Sequence, residues 1–254
     1  MIIALSPPVL SCGLMYIPGP FAESDTARIA EFVSAHPLAT LAGVEDGRPV
    51  VDHLPFMCLD RLAPGGTMVA HTAKGNATWR LGERGAEVVL AFSGASAYIS
   101  PSFYPSKART HEVVPTWNYS TVHVRGTLRC VHDEAEKLAI VTMLTDRMEA
   151  SRPVPWKVTD APAPYIAKML AGIVGLRLEM QSVTAKTKAS QNRTAEDRRG
   201  VVEGLAADEG NREAAALAGE LLSRLAQLES RRTPVRFTTT APHFNPGTRD
   251  LAEP

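Results

Sequence analysis

The chain has 254 residues, of which 44% are hydrophobic, and its 27 Lys plus Arg balance 27 Asp plus Glu. This length admits one large β-rich domain with appended helices or two small domains, and the zero formal charge excludes a global field favouring nucleic acid, membrane or an acidic partner. The three cysteines, Cys12, Cys58 and Cys130, are odd in number and lack CxxC or Cys/His ligand spacing, so reduced thiols in a cytoplasmic protein are expected, with neither a disulfide framework nor a metal site.

Residues 1–14 are apolar but lack a basic n-region and contain Pro7 and Pro8, which makes a poor signal peptide. They are expected to form a disordered extension, with Met15 as an alternative initiator. No other stretch approaches the roughly 18 to 20 apolar residues of a membrane span. Ser24 is positioned to cap a short helix over 25–35, with Ile29, Phe32 and Val33 on its apolar face. Residues 38–44 and 49–59 read as strands joined by a turn at Gly47. A strand over 67–71 precedes a helix around 76–82, and 86–92 is apolar enough for a central strand. Pro101 marks 94–105 as an irregular connection, and 116–131 suits a long strand. Asp133 opens an amphipathic helix to about 148, for which Leu138, Val141, Leu144 and Met148 fit one packed face. A helix over 162–171, a strand over 173–180, a helix over 194–205 and a last amphipathic helix over 211–228 complete the reading.

Three segments carry polar residues suited to binding. In HTAKGNATW, residues 71–79, the strand that holds His71 ends in a loop with Lys74 and Asn76, after which a helix starts. Such an ammonium, with the N–H groups of a helix start, suits a phosphate dianion. The same residues also read as a solvated lysine and a capping asparagine. In VVDHLPF, residues 50–56, Asp52 and His53 interrupt an apolar strand, where a histidine orients a ligand or makes a structural hydrogen bond. AYISPSFY and VPTWNYSTVHVRG concentrate Tyr98, Phe103, Tyr104, Trp117 and Tyr119 near His123 and Arg125. These aromatics suit the walls of a flat-ring site, or a core and dimer interface.

The blocks MYIPGPF, HTAKGNATW, AYISPSFY, VPTWNYSTVHVRG and KTKASQNRTAEDRRGVVEGL, in this order over residues 15–205, resemble the PaiB family of FMN-binding negative transcriptional regulators. The resemblance implies a mainly β, α+β fold, an FMN-binding split β-barrel that forms a homodimer with FMN between subunits, followed by a C-terminal helix and tail over 206–254. It places Lys74 and Asn76 near the FMN phosphate, with His71 before them, and His53 and Leu54 along the ring-side strand. Trp117, Asn118 and Tyr119 would lie near the flavin or the dimer seam, and Gln191 and Asn192 would close the pocket. The family commonly has KANPQW where this chain has Lys74-Gly75-Asn76-Ala77-Thr78-Trp79.

Three functions are compatible with these residues. The family label implies a regulator, and Lys186, Lys188, Arg193, Arg198 and Arg199 form a basic run able to meet DNA phosphates, although no helix-turn-helix pattern is present. A flavin-dependent oxidoreductase is the alternative, since a bound flavin supplies redox chemistry without a separate catalytic acid or base. Haem binding is the third, with His53, His71, His111 and His123 as axial-ligand candidates.

Overall fold

The computed structural model describes residues 15–208 together with 211, 213–219 and 221–222. The expected extension over 1–14, Cys12 and the part of the 211–228 helix beyond 222 lie outside the described residues. In chain order the elements are β1 (Ala22–Glu23), α1 (Thr26–Ala35), β2 (Leu38–Glu45), β3 (Arg48–Pro55), β4 (Met57–Cys58), β5 (Thr67–Ala73) and α2 (Arg80–Glu83). They continue with β6 (Glu87–Ile99), α3 (Lys107–Thr110), β7 (Thr116–Val131), α4 (Glu134–Glu149), α5 (Ala163–Ala171), β8 (Ile173–Lys188) and α6 (Ala195–Ala206).

The sheet is antiparallel throughout, in the order β3-β2-β6-β7-β8-β5-β4, with β1 added on β8. β3 also packs against β5, so the two ends of this order approach each other and the sheet curls into an open, split barrel. Strand alternation turns Leu41, Leu54, Leu90, Val124, Leu128 and Leu176 inward, where they form the main core. Outside the barrel, α4 lays Ile140 and Leu144 on Val69 and Val131. Beyond the barrel, the far halves of β6, β7 and β8 continue into a second lobe, where Ile99 and Tyr104 pack with Val201 and Leu205 of α6 and with Leu217 and Leu221. Leu217 and Leu221 therefore bind the described residues after α6 to this lobe.

Several elements differ from the sequence reading for physical reasons. The helix cap at the start of α1 is Asp25, whose Oδ1 accepts from the N–H groups of Ala27 and Arg28, and not Ser24. Pro55 ends β3, and the next N–H, that of Phe56, bonds Pro37 O, so residues 49–59 form two strands. β6 does not stop at Phe92. A bulge between Ser93 and Ser96 absorbs the irregularity at Gly94, and pairing with β7 resumes through Ile99. Gly94 is needed there because a Cβ would lie 2.7 Å from the Phe32 ring. β8 likewise continues past Met180 to Lys188, because β7 offers it a partner over that whole length. The buried face of α4 is Lys137, Ile140 and Leu144, whereas Leu138 and Met148 are exposed. A lysine conceals this face in the sequence: the Lys137 stem is buried and its ammonium donates to Leu170 O at 2.8 Å.

Candidate functional site

The loop after β5 is held by a network of hydrogen bonds that the sequence prepares. Asn76 caps a single 3-10 turn, Ala77–Trp79, through its Oδ1 and the Thr78 N–H at 3.0 Å. Its amide also donates to Asp52 Oδ2, which accepts from Thr78 Oγ1 at 2.9 Å, while Asp52 Oδ1 accepts from the His53 N–H at 2.7 Å. The indole N–H of Trp79 donates to Lys74 O at 3.0 Å. Asp52 thus crosses the barrel seam from β3 and fixes the 74–79 loop. Burial acts to raise its carboxyl, but the bonds from Asn76, His53 and Thr78 outweigh this and hold it below the ordinary carboxylate value.

Lys74 and Gly75 are left over by this arrangement. The Lys74 ammonium is exposed and makes no bond to any described residue, and open space surrounds Gly75. The 3-10 turn and four-residue α2 that follow are too short for a strong end dipole, so the positive potential here is chiefly that of Lys74. Asn76 serves the loop as its cap and brace. His53 is exposed on the outer face of β3, while the Leu54 side chain belongs to the core and leaves only its backbone for a ligand.

Three residues before Lys74, His71 points outward from β5 and lines a cavity of about 550 Å³ between α1, β4 and α4. Phe56, Met57, Leu144, Met148 and Trp156 make most of its wall apolar, and Arg147 and Glu149 stand among its polar groups. This volume is in the range of small-molecule sites. Burial holds the His71 imidazole below its ordinary value, so it is neutral at pH 7, and its Nδ1 is buried without a partner.

The remaining predicted residues lie elsewhere. Ala73, next to Lys74, pairs with Ile173 at the start of β8, whereas Tyr119 pairs with Lys188 at its end. The contour between these ends is roughly 50 Å at about 3.3 Å per residue. Trp117 and Tyr119 wall a shallow outer groove of about 380 Å³ over the β6 bulge. Trp117 is 54% exposed and stacks edge-on against the equally open Tyr98 at 6.4 Å. Asn118 is fully buried and donates to Ser190 Oγ at 2.9 Å, and its Oδ1 is unpaired. Gln191 is committed to the turn after β8, accepting from the Ala189 N–H and donating to Thr187 O, and Asn192 is exposed. The chain therefore joins β3 at Asp52 and His53 to the loop of Lys74 and Asn76, sets His71 in the cavity wall on the strand before that loop, and keeps Trp117, Asn118, Tyr119, Gln191 and Asn192 toward the other end of β8.

The basic run is also engaged. Lys186 donates to Tyr16 O and lies over the Tyr16 and Tyr119 rings, Lys188 bonds Thr116 Oγ1, Arg193 covers the Tyr104 ring at 4.8 Å and Arg198 donates to Arg193 O. Of the other histidines, His111 is exposed in a left-handed turn and His123 is half-buried on the sheet. Among the described residues no helix is long and apolar enough to cross a membrane.

The fold is a split barrel with a cationic loop at its seam, and the model of the family described as "Putative FMN-binding domain" matches residues 15–182. The chain belongs to this family, and FMN is its cofactor. Within it the chain is of the PaiB type: it is 34% identical over 200 residues to protease synthase and sporulation protein PAI 2 of Bacillus subtilis, covering 77% of this chain and 91% of that protein. An uncharacterized protein of Aspergillus fumigatus is 30% identical, covering 75% and 90% of the two chains. Among solved structures, the FAD and haem binding protein of Mycobacterium smegmatis superposes with a TM-score of 0.50 at 21% identity over 66% of this chain and 73% of that one, which shows the shared fold.

Proposed function

We propose that the protein is a homodimeric FMN flavoprotein that performs redox chemistry on a small molecule, with the flavin phosphate on the Lys74-Gly75 loop. The observation that carries this reading is the unpaired Lys74 ammonium in the turn directly after β5, the strand whose His71 lines an apolar cavity. The residues fit the cofactor: a free cation meets the phosphate, and the cavity wall and the outer edge of β3 offer apolar surface to the ring. Bound flavin supplies hydride or one-electron transfer. The chain's own part is to bind the phosphate through Lys74, to hold the loop through Asp52 and Asn76, and to offer a neutral imidazole at His71.

Lys74→Ala tests the reading. The variant is expected to lose about ten- to a hundred-fold in FMN affinity, from the roughly 1.5 to 3 kcal/mol of one charge-assisted contact, and to bind riboflavin unchanged. Equal losses for both ligands would move the phosphate elsewhere.

The regulator reading competes through the family's label. It draws no support from the basic run, whose Lys186, Lys188 and Arg198 already have partners within the chain. We expect no preference for the protein's own promoter over random duplex near physiological salt. A clear preference that a Lys186→Glu, Arg198→Glu variant loses while keeping its flavin spectrum would establish the regulator instead.

A further inference from the structure

At the end of β7, α2 lies close enough to the sheet to bring together three side chains that the flavin site does not use. Glu83 is the last residue of α2, Cys130 is the penultimate residue of β7 and His132 follows two positions later. Alternation along an extended chain sets 130 and 132 on one face. The close approach depends on Gly82, where a Cβ would lie 2.9 Å from Cys130 Sγ and 3.0 Å from the backbone between Arg129 and Cys130. One ligand atom from each of Glu83, Cys130 and His132 lies within 4.8 Å of the others. His132 Nε2 already meets Glu83 Oε1, and Cys130 Sγ donates to Trp79 O at 3.0 Å. Glu83 and His132 are exposed and Cys130 is half-buried, so the cluster opens to solvent on one side.

We propose that Glu83, Cys130 and His132 form a binding site for a thiophilic divalent cation of the zinc class, with three protein ligands and one water. Sulfur and imidazole nitrogen select this class over magnesium or calcium, which take oxygen ligands. Tetrahedral bonds of about 2.0 to 2.3 Å set ligand atoms roughly 3.3 to 3.6 Å apart, so side-chain movements of about 1 Å close the site. On binding, the Cys130 S–H bond breaks, its proton leaves to solvent and the sulfur electron pair forms the metal bond. The thiol gives up its bond to Trp79 O, and the Glu83 to His132 contact is replaced by one bond from each to the ion. Trp79 is also the residue whose indole holds Lys74 O, so the ion braces α2 immediately behind the phosphate loop.

The experiment is a cobalt titration of the full-length protein, freed of metal by a chelator, with zinc as competitor. We expect one cobalt per chain, a thiolate-to-cobalt charge-transfer band in the near ultraviolet, and its loss on adding zinc. A Cys12→Ser, Cys58→Ser variant, in which Cys130 is the only thiol, keeps the band, and Cys130→Ser abolishes it. His132→Ala and Glu83→Ala change exposed side chains and so test the site without a threat to folding; each is expected to weaken cobalt binding at least tenfold. Absence of the band in the unmodified protein, its survival in Cys130→Ser, or unchanged affinity in both His132→Ala and Glu83→Ala would overturn the proposal.

Discussion

Asp52 shows how one side chain sets the geometry of the 74–79 loop from a distance of 24 residues in sequence. It accepts from two side chains of the 74–79 loop and one backbone N–H of its own strand, so its removal leaves Asn76 and Thr78 without their shared acceptor. Hydrogen bonds to a charged acceptor contribute roughly 1.5 to 3 kcal/mol. Asp52→Ala is accordingly expected to destabilise the fold by about 2 kcal/mol and to speed amide exchange across residues 74–79; unchanged exchange there would remove Asp52 from this role. The sign with pH follows from its lowered carboxyl. The folded state binds this proton less readily than the unfolded chain, so the stabilisation is present above the unfolded value of about 3.9 and is lost as pH falls through the folded value. The exchange difference between Asp52→Ala and the unmodified protein should therefore vanish at strongly acidic pH.

The lock between α6 and the strands it covers decides whether the second lobe holds together. Asp197 is buried and accepts from Ser106 N–H at 3.0 Å and Ser106 Oγ at 2.9 Å, which ties α6 to the segment leading into α3. Close contact there requires Gly200, where a Cβ would lie 2.2 Å from Phe103 O, and Gly204, where it would lie 2.3 Å from the Phe103 ring. Gly200→Ala is expected to cost about 1 to 3 kcal/mol by forcing the helix outward, read as a lowered midpoint in urea with FMN affinity retained. A variant as stable as the parent would mean that α6 is not held at Phe103. Much of this element scale is legible in the sequence: the β7 strand over 116–131, the Asp133 cap of α4 and the Thr194 cap of α6 all stand where local pattern places them. The extensions of β6 and β8 are not legible, because pairing with β7 draws polar and glycine-containing stretches into strands. The site divides in the same way. Lys74 and Asn76 are marked by the strand-to-turn pattern, whereas the bond from Asp52 across the seam, the Cys130 neighbours and the cavity at His71 arise only when distant strands meet.

At the scale of the molecule, the two groups of predicted flavin residues lie toward opposite ends of β8. A second copy is the simplest means of bringing Trp117 and Tyr119 to the Lys74 loop. The outer sheet face suits such a partner: register sets Val51, Ala42 and Val89 in one row and His53, Thr40, Ala91 and His123 in the next. Val51 is 61% exposed and Trp117 54%, which leaves apolar and aromatic anchors uncovered in the protomer. In a two-fold pair each loop would meet the partner's aromatic end, giving two equivalent sites. Sedimentation velocity at micromolar concentration, recorded at the blue absorbance band of the flavin, reads assembly and cofactor together. The predicted result is a single boundary at the mass of a dimer that carries two FMN; a monomer holding one FMN per chain would contradict the shared site.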